Sequence, residues 1–373
     1  MPHPHWNSTL PNPNLKNLYG SLSNPIYIYV PGFIEESAGI RSLHYLCHAL
    51  NSAGHPSWLV IHGTILESQT IVSGFLNTPV LTQEISNSHF RLGLAPIVVY
   101  PETIPGNPLN AQVIVRYLMN YTGTLGGPKF FPPNELCVAF SQKIGDQYDK
   151  EIPVLFIPPI DIREVLKFRK TGKNSHQGPV LFYAAKYRGF VGKPKLPNWT
   201  LKYNPQELFR EGTQKHSRSE LLTAISESYG LIVFENSSVI TEATLLGTPV
   251  VLVKSDFFNE LIAEEELGVA GCNWSKEVTT FDEVRVSYKL AEDKYMEAIT
   301  TFERNLKVIV REWKLFAKES DYLAPIMIPE HNKMFTTHRV SMAFQIIRSL
   351  GLRVFSRVLV SFIKRRISRG LNR

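Results

Sequence analysis

The side chains with the clearest chemical potential lie between Gly230 and Val253, where the chain reads GLIVFENSSVITEATLLGTPVVLV. Leu231 to Phe234 form an apolar, β-prone run, and Glu235-Asn236-Ser237-Ser238 follow it as a polar cluster that opens a helix. Backbone N–H groups at a helix start, with the macrodipole behind them, favour a bound anion. Ser237 and Ser238 sit at that start. Glu242 lies four or five residues further on, one turn up the same helix, where its carboxylate can accept hydrogen bonds from a ribose while the helix start holds phosphates. The spacing suits a nucleotide diphosphate.

Other groups of the right chemistry are scattered along the chain. Lys186 and Arg188 follow the apolar run PVLFYAA (179–185), two cations just past a buried-type strand. PGFIEESAGIRSL (31–43) contains Gly39, where backbone can approach a ligand, with Arg41 adding charge. In YPETIPGNPLNAQVIVRYLMN (100–120), Pro101, Pro105 and Pro108 stiffen a loop that leads to a capped helix and presents Glu102, Asn107 and Asn110 at strand-end level. These three residues are expected to face a cleft. His44 and His48 have the i, i+4 spacing of metal ligands beside Cys47, but no third ligand accompanies them, and no metal site is expected. His62, just after a strand, is an outside candidate for catalysis.

The elements that must position these groups alternate between strand and helix. IYIYV (26–30), SWLVI (57–61), PIVVY (96–100), ELCVAF (135–140) and PVLFI (153–157) read as about five buried strands. Helices are expected from Ile40 to Ala53 and from Asn107, an N-cap with Pro108 in the first helical position. IPPIDIREV (157–165) is the expected linker, since adjacent prolines stiffen an extended crossing. A second α/β set follows, with PVLFYAA, a helix announced by the capping-box pair Ser217 and Glu220, the unit at 230–253, and GVAG (268–271). Strands separated by helices imply parallel sheets, with ligands beyond the carboxyl ends of the strands.

At 373 residues the chain is long enough for two domains. Its three cysteines are far apart and form no C-x-x-C pair, which fits a reducing cytosol. The first 24 residues, rich in Pro and Asn and lacking an apolar secretory stretch, read as a disordered leader. The net charge of +7 is uneven: of 40 basic residues ten follow Glu330, leaving 30 against all 33 acids, a net of −3 over residues 1–330. A nucleic-acid-binding surface over the whole protein is therefore not indicated. In the tail, Leu352, Phe355, Leu359, Phe362 and Ile363 fall on one helical face, with Arg353, Arg357 and Lys364 opposite. Such a basic amphipathic helix suits an in-plane position at an anionic leaflet.

Two α/β halves joined by a short linker, with F-E-N-S-S-x-x-T-E-A-x-x-x-G-x-P-V-V in the second, resemble the GT-B fold glycosyltransferases. The likeness is to their retaining group, marked by an E-x7-E signature. It implies two Rossmann-like domains facing a cleft: residues 25–158 as the acceptor domain, 159–330 as the nucleotide-sugar donor domain, and 331–373 as a crossing helix and basic amphipathic tail. It also implies that Glu242 binds the donor ribose and that Ser237 and Ser238 bind its phosphates. Gly39 would approach the same phosphates, and Glu102, Asn107 and Asn110 would line the acceptor cleft. Lys186 and Arg188 would stabilise the departing diphosphate without a metal ion or other cofactor. Glu235 would match the first Glu of the signature and contact the donor sugar. Here only six residues separate the two acids, which turns the helix by about 100° relative to the family spacing.

The resemblance implies a hexosyltransferase-like enzyme, retaining and metal-independent, acting on a lipid-linked or polysaccharide acceptor in cell-surface glycan synthesis. Its place would be cytoplasmic, peripheral at the inner face of the cell membrane through residues 352–373, and its partners would not include nucleic acid. The alternatives are a nucleotide-sugar epimerase of the same fold, which needs no acceptor, and a non-catalytic GT-B binding module.

Overall fold

The computed structural model describes residues 23–63, 71–169, 178–209, 216–284, 288–318, 322 and 324–328. The chain forms two units. The first takes in the chain up to Pro159 and again from Ile299, and the second runs from Ile160 to Ala298. Residues 1–22 of the expected leader and the whole segment 331–373, with its expected crossing and amphipathic helices, lie outside the described residues.

In the first unit the elements are β1 (Ile26–Pro31), α1 (Ala38–Ser52), β2 (Ser57–His62), α2 (Gln83–Arg91), β3 (Ile97–Pro101), β4 (Val113–Leu118), β5 (Leu136–Ala139) and the short α3 (Gln142–Gly145). All strand pairings are parallel, in the order β2-β1-β3-β4-β5. A parallel sheet is covered on both faces, so its strands are apolar throughout. In β1, Ile26, Ile28 and Val30 pack with Leu43, Leu46 and Leu50 of α1, while Tyr27 and Tyr29 point the other way, towards Trp58, Val98 and Tyr100.

The second unit has α4 (Ile162–Leu166), β6 (Gly178–Tyr183), α5 (Ala185–Phe190), β7 (Gln206–Glu207), α6 (Arg218–Glu227), β8 (Ser228–Val233), α7 (Ser238–Leu246), β9 (Val250–Leu252), α8 (Glu264–Leu267) and β10 (Cys272–Trp274). Its strands are likewise parallel, in the order β10-β9-β8-β6-β7. The expected capping box forms in full at the start of α6: Ser217 accepts from the Glu220 amide and the Glu220 carboxylate accepts from the Ser217 amide. The α/β class with two parallel sheets is thus as expected from the sequence. Among the described residues no helix is long and apolar enough to cross a membrane.

α9 (Tyr288–Lys318) starts in the second unit, and from Ile299 onward it belongs to the first. There Phe302, Leu306, Ile309, Val310 and Trp313 complete the core built on Ile28 and Leu46. Residues 299–318, expected within the second domain, therefore serve the first.

Three local expectations are corrected. The segment after Asn107 is not a helix: a turn leads into strand β4, because Val113, Ile114 and Val115 insert between β3 and β5, where β-branched residues pack well. PVLFI forms no strand and makes only the isolated bridge Ala139–Val154. The linker is not extended throughout: after the unit boundary at Pro159, Asp161 caps α4, its carboxylate accepting from the Arg163 amide.

Candidate functional site

The carboxyl ends of β6 and β8 lie side by side in the second sheet, and the turns and helices that follow them carry Lys186, Arg188, Glu235, Ser237, Ser238 and Glu242. Beyond β8, Phe234 continues the ladder, its amide donating to Tyr183 O. Glu235, Asn236 and Ser237 then make the turn into α7. Asn236 pins this turn: its Nδ2 donates to Glu260 O at 3.0 Å and its Oδ1 accepts from the Ile262 amide at 3.1 Å. Ser237 is the N-cap of α7, accepting from the Val239 amide, and Val239, Ala243 and Leu246 are fully buried, as the apolar stripe requires. The helix stops at Gly247, whose φ of 84° is left-handed and free of penalty only for glycine. Arg169 closes the same end by donating from Nε and Nη2 to Leu245 O.

Lys186 lies on α5, just past β6, and its Nζ donates to Asn236 O at 2.7 Å, which sets the ammonium beside the start of α7. Glu235 is fully buried and its Oε2 accepts from the Tyr187 amide at 2.8 Å. It thereby caps α5, a helix whose own N-cap, Ala184, has no side chain to do so. Arg188 is more remote from this turn: it is partly exposed and paired in fork fashion with Glu207 of β7.

Glu242 is wholly buried. Its Oε1 accepts from Arg218 Nη1 at 2.9 Å and from Ser238 Oγ at 3.3 Å. Arg218 in turn donates from Nε to Glu164 Oε2 at 2.8 Å. Lys186, Glu235, Ser237, Ser238 and Glu242 thus all lie around the start of α7, in separate sets of hydrogen bonds: Lys186 with Asn236, Glu235 with Tyr187, Ser237 with Val239, and Ser238 with Glu242 and Arg218. Arg218 and Glu164 were not foreseen. The signal for them is indirect: Glu242 is the only charge in the apolar helix SVITEATLL, and Arg218 occupies a first helical position, where the dipole disfavours a cation. Each therefore needs a partner from elsewhere.

The remaining predicted residues lie in the first unit. Gly39 falls in the first turn of α1, and a Cβ there would meet Met119 Cε only at 3.6 Å, so packing does not demand glycine. Arg41 is buried and donates to the carbonyls of Pro159 and Glu35. Glu102 is buried, its Oε2 accepting from the Met119 amide at 3.0 Å. Asn107 closes a turn: its Oδ1 accepts from the Ala111 amide at 2.9 Å and from the Tyr100 hydroxyl at 3.0 Å, and its Nδ2 donates to Ala111 O. Asn110 is exposed in that turn with φ 50°.

The loop is held from below by Arg116 of β4, which is 1% exposed. Arg116 pairs with Glu135 and donates to the carbonyls of Ile104 and Gly106. This anchor was also missed, since its partners are spread over about thirty residues of sequence.

His44 packs its ring against Phe33 with Nε2 at 3.0 Å from Pro31 O, and burial lowers its pKa to about 4. His48 accepts from the Asn77 amide, and His62 stacks on Tyr29 with ring centroids 4.3 Å apart. No group of three or more His, Cys, Asp or Glu among the described residues is arranged to hold a metal ion.

No protein-family model matches the chain, and no curated protein matches it. Among solved structures, similarity extends to the spinosyn forosaminyltransferase SpnP, at 15% identity and a TM-score of 0.37, covering 87% of this chain and 100% of that one. Sucrose-phosphate synthase from Thermosynechococcus elongatus matches at 11% identity and a TM-score of 0.44, over 79% of this chain and 100% of the other. The glycosyltransferase SnogD from Streptomyces nogalater matches at 9% identity and a TM-score of 0.40, over 78% and 99%. Likeness at this level carries no argument about chemistry, which rests on the groups around the start of α7.

Proposed function

We propose that this chain is a glycosyltransferase that moves a sugar from a nucleotide-diphosphate sugar onto a lipid-linked or polysaccharide acceptor in cell-surface glycan synthesis. The observation that carries the reading is the convergence of Lys186, Ser237, Ser238 and Glu242 on the start of α7, at the carboxyl ends of β6 and β8. The crevice beyond the strand ends is where parallel α/β sheets bind ligands. In this reading the N–H groups of the α7 start and the Ser237 and Ser238 hydroxyls hold the diphosphate, and Glu242, wholly buried, must be uncovered to accept from the ribose hydroxyls.

As the glycosidic bond breaks, negative charge builds on the departing nucleotide diphosphate. Lys186 supplies a cation there, and Arg188, released from Glu207, supplies a second. Glu235 keeps α5, and with it Lys186, in place through the Tyr187 amide. The family resemblance assigns Gly39 to the donor phosphates and Glu102, Asn107 and Asn110 to the acceptor. Retention of configuration and independence of metal follow from the family resemblance, as does attachment to an anionic membrane surface through residues 352–373.

Thermal shift with a panel of nucleotide sugars, run in EDTA, tests the reading. A stabilising donor is expected, and Glu242→Ala is expected to weaken it about tenfold or more, the worth of a charge-assisted hydrogen bond. Turnover and donor binding unchanged in Glu242→Ala would refute the site. Conversion of the sugar with no acceptor present would instead make the protein an epimerase, and absence of any binding a non-catalytic module. Deletion of residues 352–373 should release the protein from anionic liposomes.

A further inference from the structure

Arg218 opens α6 at the position least favourable to a cation, yet its side chain is only 5% exposed. Burial works against its charge, and the carboxylates of Glu242 and Glu164 more than compensate, so its pKa is pushed further up. It is a fixed positive charge. Its Nε is committed to Glu164 and its Nη1 to Glu242, whereas Nη2 is buried with no hydrogen-bond partner among the described residues. Most buried polar groups have a partner, so an unsatisfied donor at this depth calls for an explanation.

Glu242 needs such a neighbour. A carboxylate that is to accept from ribose hydroxyls must be ionised and aimed before the ligand arrives, or binding bears the cost of ordering it. In a fully buried site ionisation without a cation is prohibitive. Arg218 Nη1 and Ser238 Oγ both meet Oε1 of Glu242, which fixes the carboxylate's rotation as well as its charge.

We propose that Arg218 is a positioning residue for the ribose subsite, holding Glu242 ionised and oriented against Ser238 so that recognition of the ribose hydroxyls depends on a guanidinium from the neighbouring helix. This rests on the reading that Glu242 holds a nucleotide's ribose.

The test uses the full chain and titrates UDP, ADP and GDP, each beside its 2′,3′-dideoxy counterpart, into wild type, Arg218→Met, Arg218→Lys and Glu164→Gln. Wild type should bind a ribonucleotide more tightly than its dideoxy form. Arg218→Met should lose about tenfold on the ribonucleotide and nothing on the dideoxy form, so that discrimination vanishes. Arg218→Lys, which keeps the charge but not the fork, should fall between, and Glu164→Gln should discriminate as wild type does.

Equal losses on both ligands, or discrimination retained in Arg218→Met, would overturn the proposal, because a merely structural arginine lowers stability without choosing between sugars. Should Arg218→Met fail to fold, Arg218→Lys carries the same comparison. Wild type that binds nucleotides without discriminating would instead overturn the assignment of Glu242, and with it this inference.

Discussion

Removing the Glu135 carboxylate while leaving Arg116 in place isolates the cost of an uncompensated charge inside the first sheet. Arg116 is 1% and Glu135 6% exposed, with Nε to Oε2 at 2.5 Å and Nη2 to Oε1 at 3.2 Å. In Glu135→Ala the guanidinium keeps only the carbonyls of Ile104 and Gly106 and the faces of Tyr100 and Phe131, each about 5.0 Å from Cζ. Breaking a buried pair from one side costs about 3–5 kcal/mol. Arg116→Met costs at least as much, because it strands the Glu135 carboxylate and two carbonyls together.

The double variant Arg116→Met/Glu135→Leu leaves no charge behind, only the two carbonyls, at about 1–3 kcal/mol each. It should therefore be several kcal/mol more stable than the sum of the single effects implies. Hydrogen exchange of peptides covering β3 and β4 reads this unit directly, without requiring the whole chain to unfold as one. Glu135→Ala within about 1 kcal/mol of wild type, or singles that simply add, would refute the claim that this pair is a desolvated anchor.

Other outcomes follow from the same loop and from the buried imidazoles. Gly127 has φ 86°, and a Cβ there would come within 2.6 Å of Glu102 O, so Gly127→Ala should cost about 2 kcal/mol or more and lower the melting temperature. Asn107→Ala removes three hydrogen bonds that close its turn and should cost about 1–3 kcal/mol in urea unfolding. His44, His55 and His89 have pKa values lowered to about 4, chiefly by burial, so the unfolded chain takes up their protons first. The stability they contribute is complete above the unfolded value near 6.5 and is lost as pH falls towards 4; denaturation midpoints should drop across that window, and less steeply in His89→Gln.

The strands read from the sequence are those whose burial is written into a continuous apolar run, such as IYIYV and SWLVI, and local chemistry equally announces the capping box at Ser217. β4 was missed because Asn107-Pro108 has the look of a helix start. What decides the matter is the β-branched run Val113-Ile114-Val115, whose partners in β3 and β5 are distant in sequence, just as Arg116 finds Glu135 nineteen residues away. The site divides the same way. Ser237, Ser238 and Glu242 are linked by the turn of one helix, so spacing reveals them. Arg218 reaches that carboxylate from α6 and is itself held by Glu164 of α4, and only the unfavourable place of Arg218 at a helix start hints that it is engaged elsewhere.

The passage of α9 from one unit to the other bears on the order in which the protein can assemble. Phe302, Trp313 and Ala317 belong to the same core as Ile28 and Leu46. A ribosome that has just finished Pro159 has delivered every strand of the first sheet but not its closing helix. At the usual rate of about 5–20 residues per second, Ala317 follows about 10–30 s later. Over that interval the apolar face on Leu46 and Val115 stands open, while the second unit can be completed from Ile160 to Ala298 without interruption. The nascent first half is the natural client for a chaperone, and a fragment ending near residue 159 should aggregate where one spanning 160–298 need not.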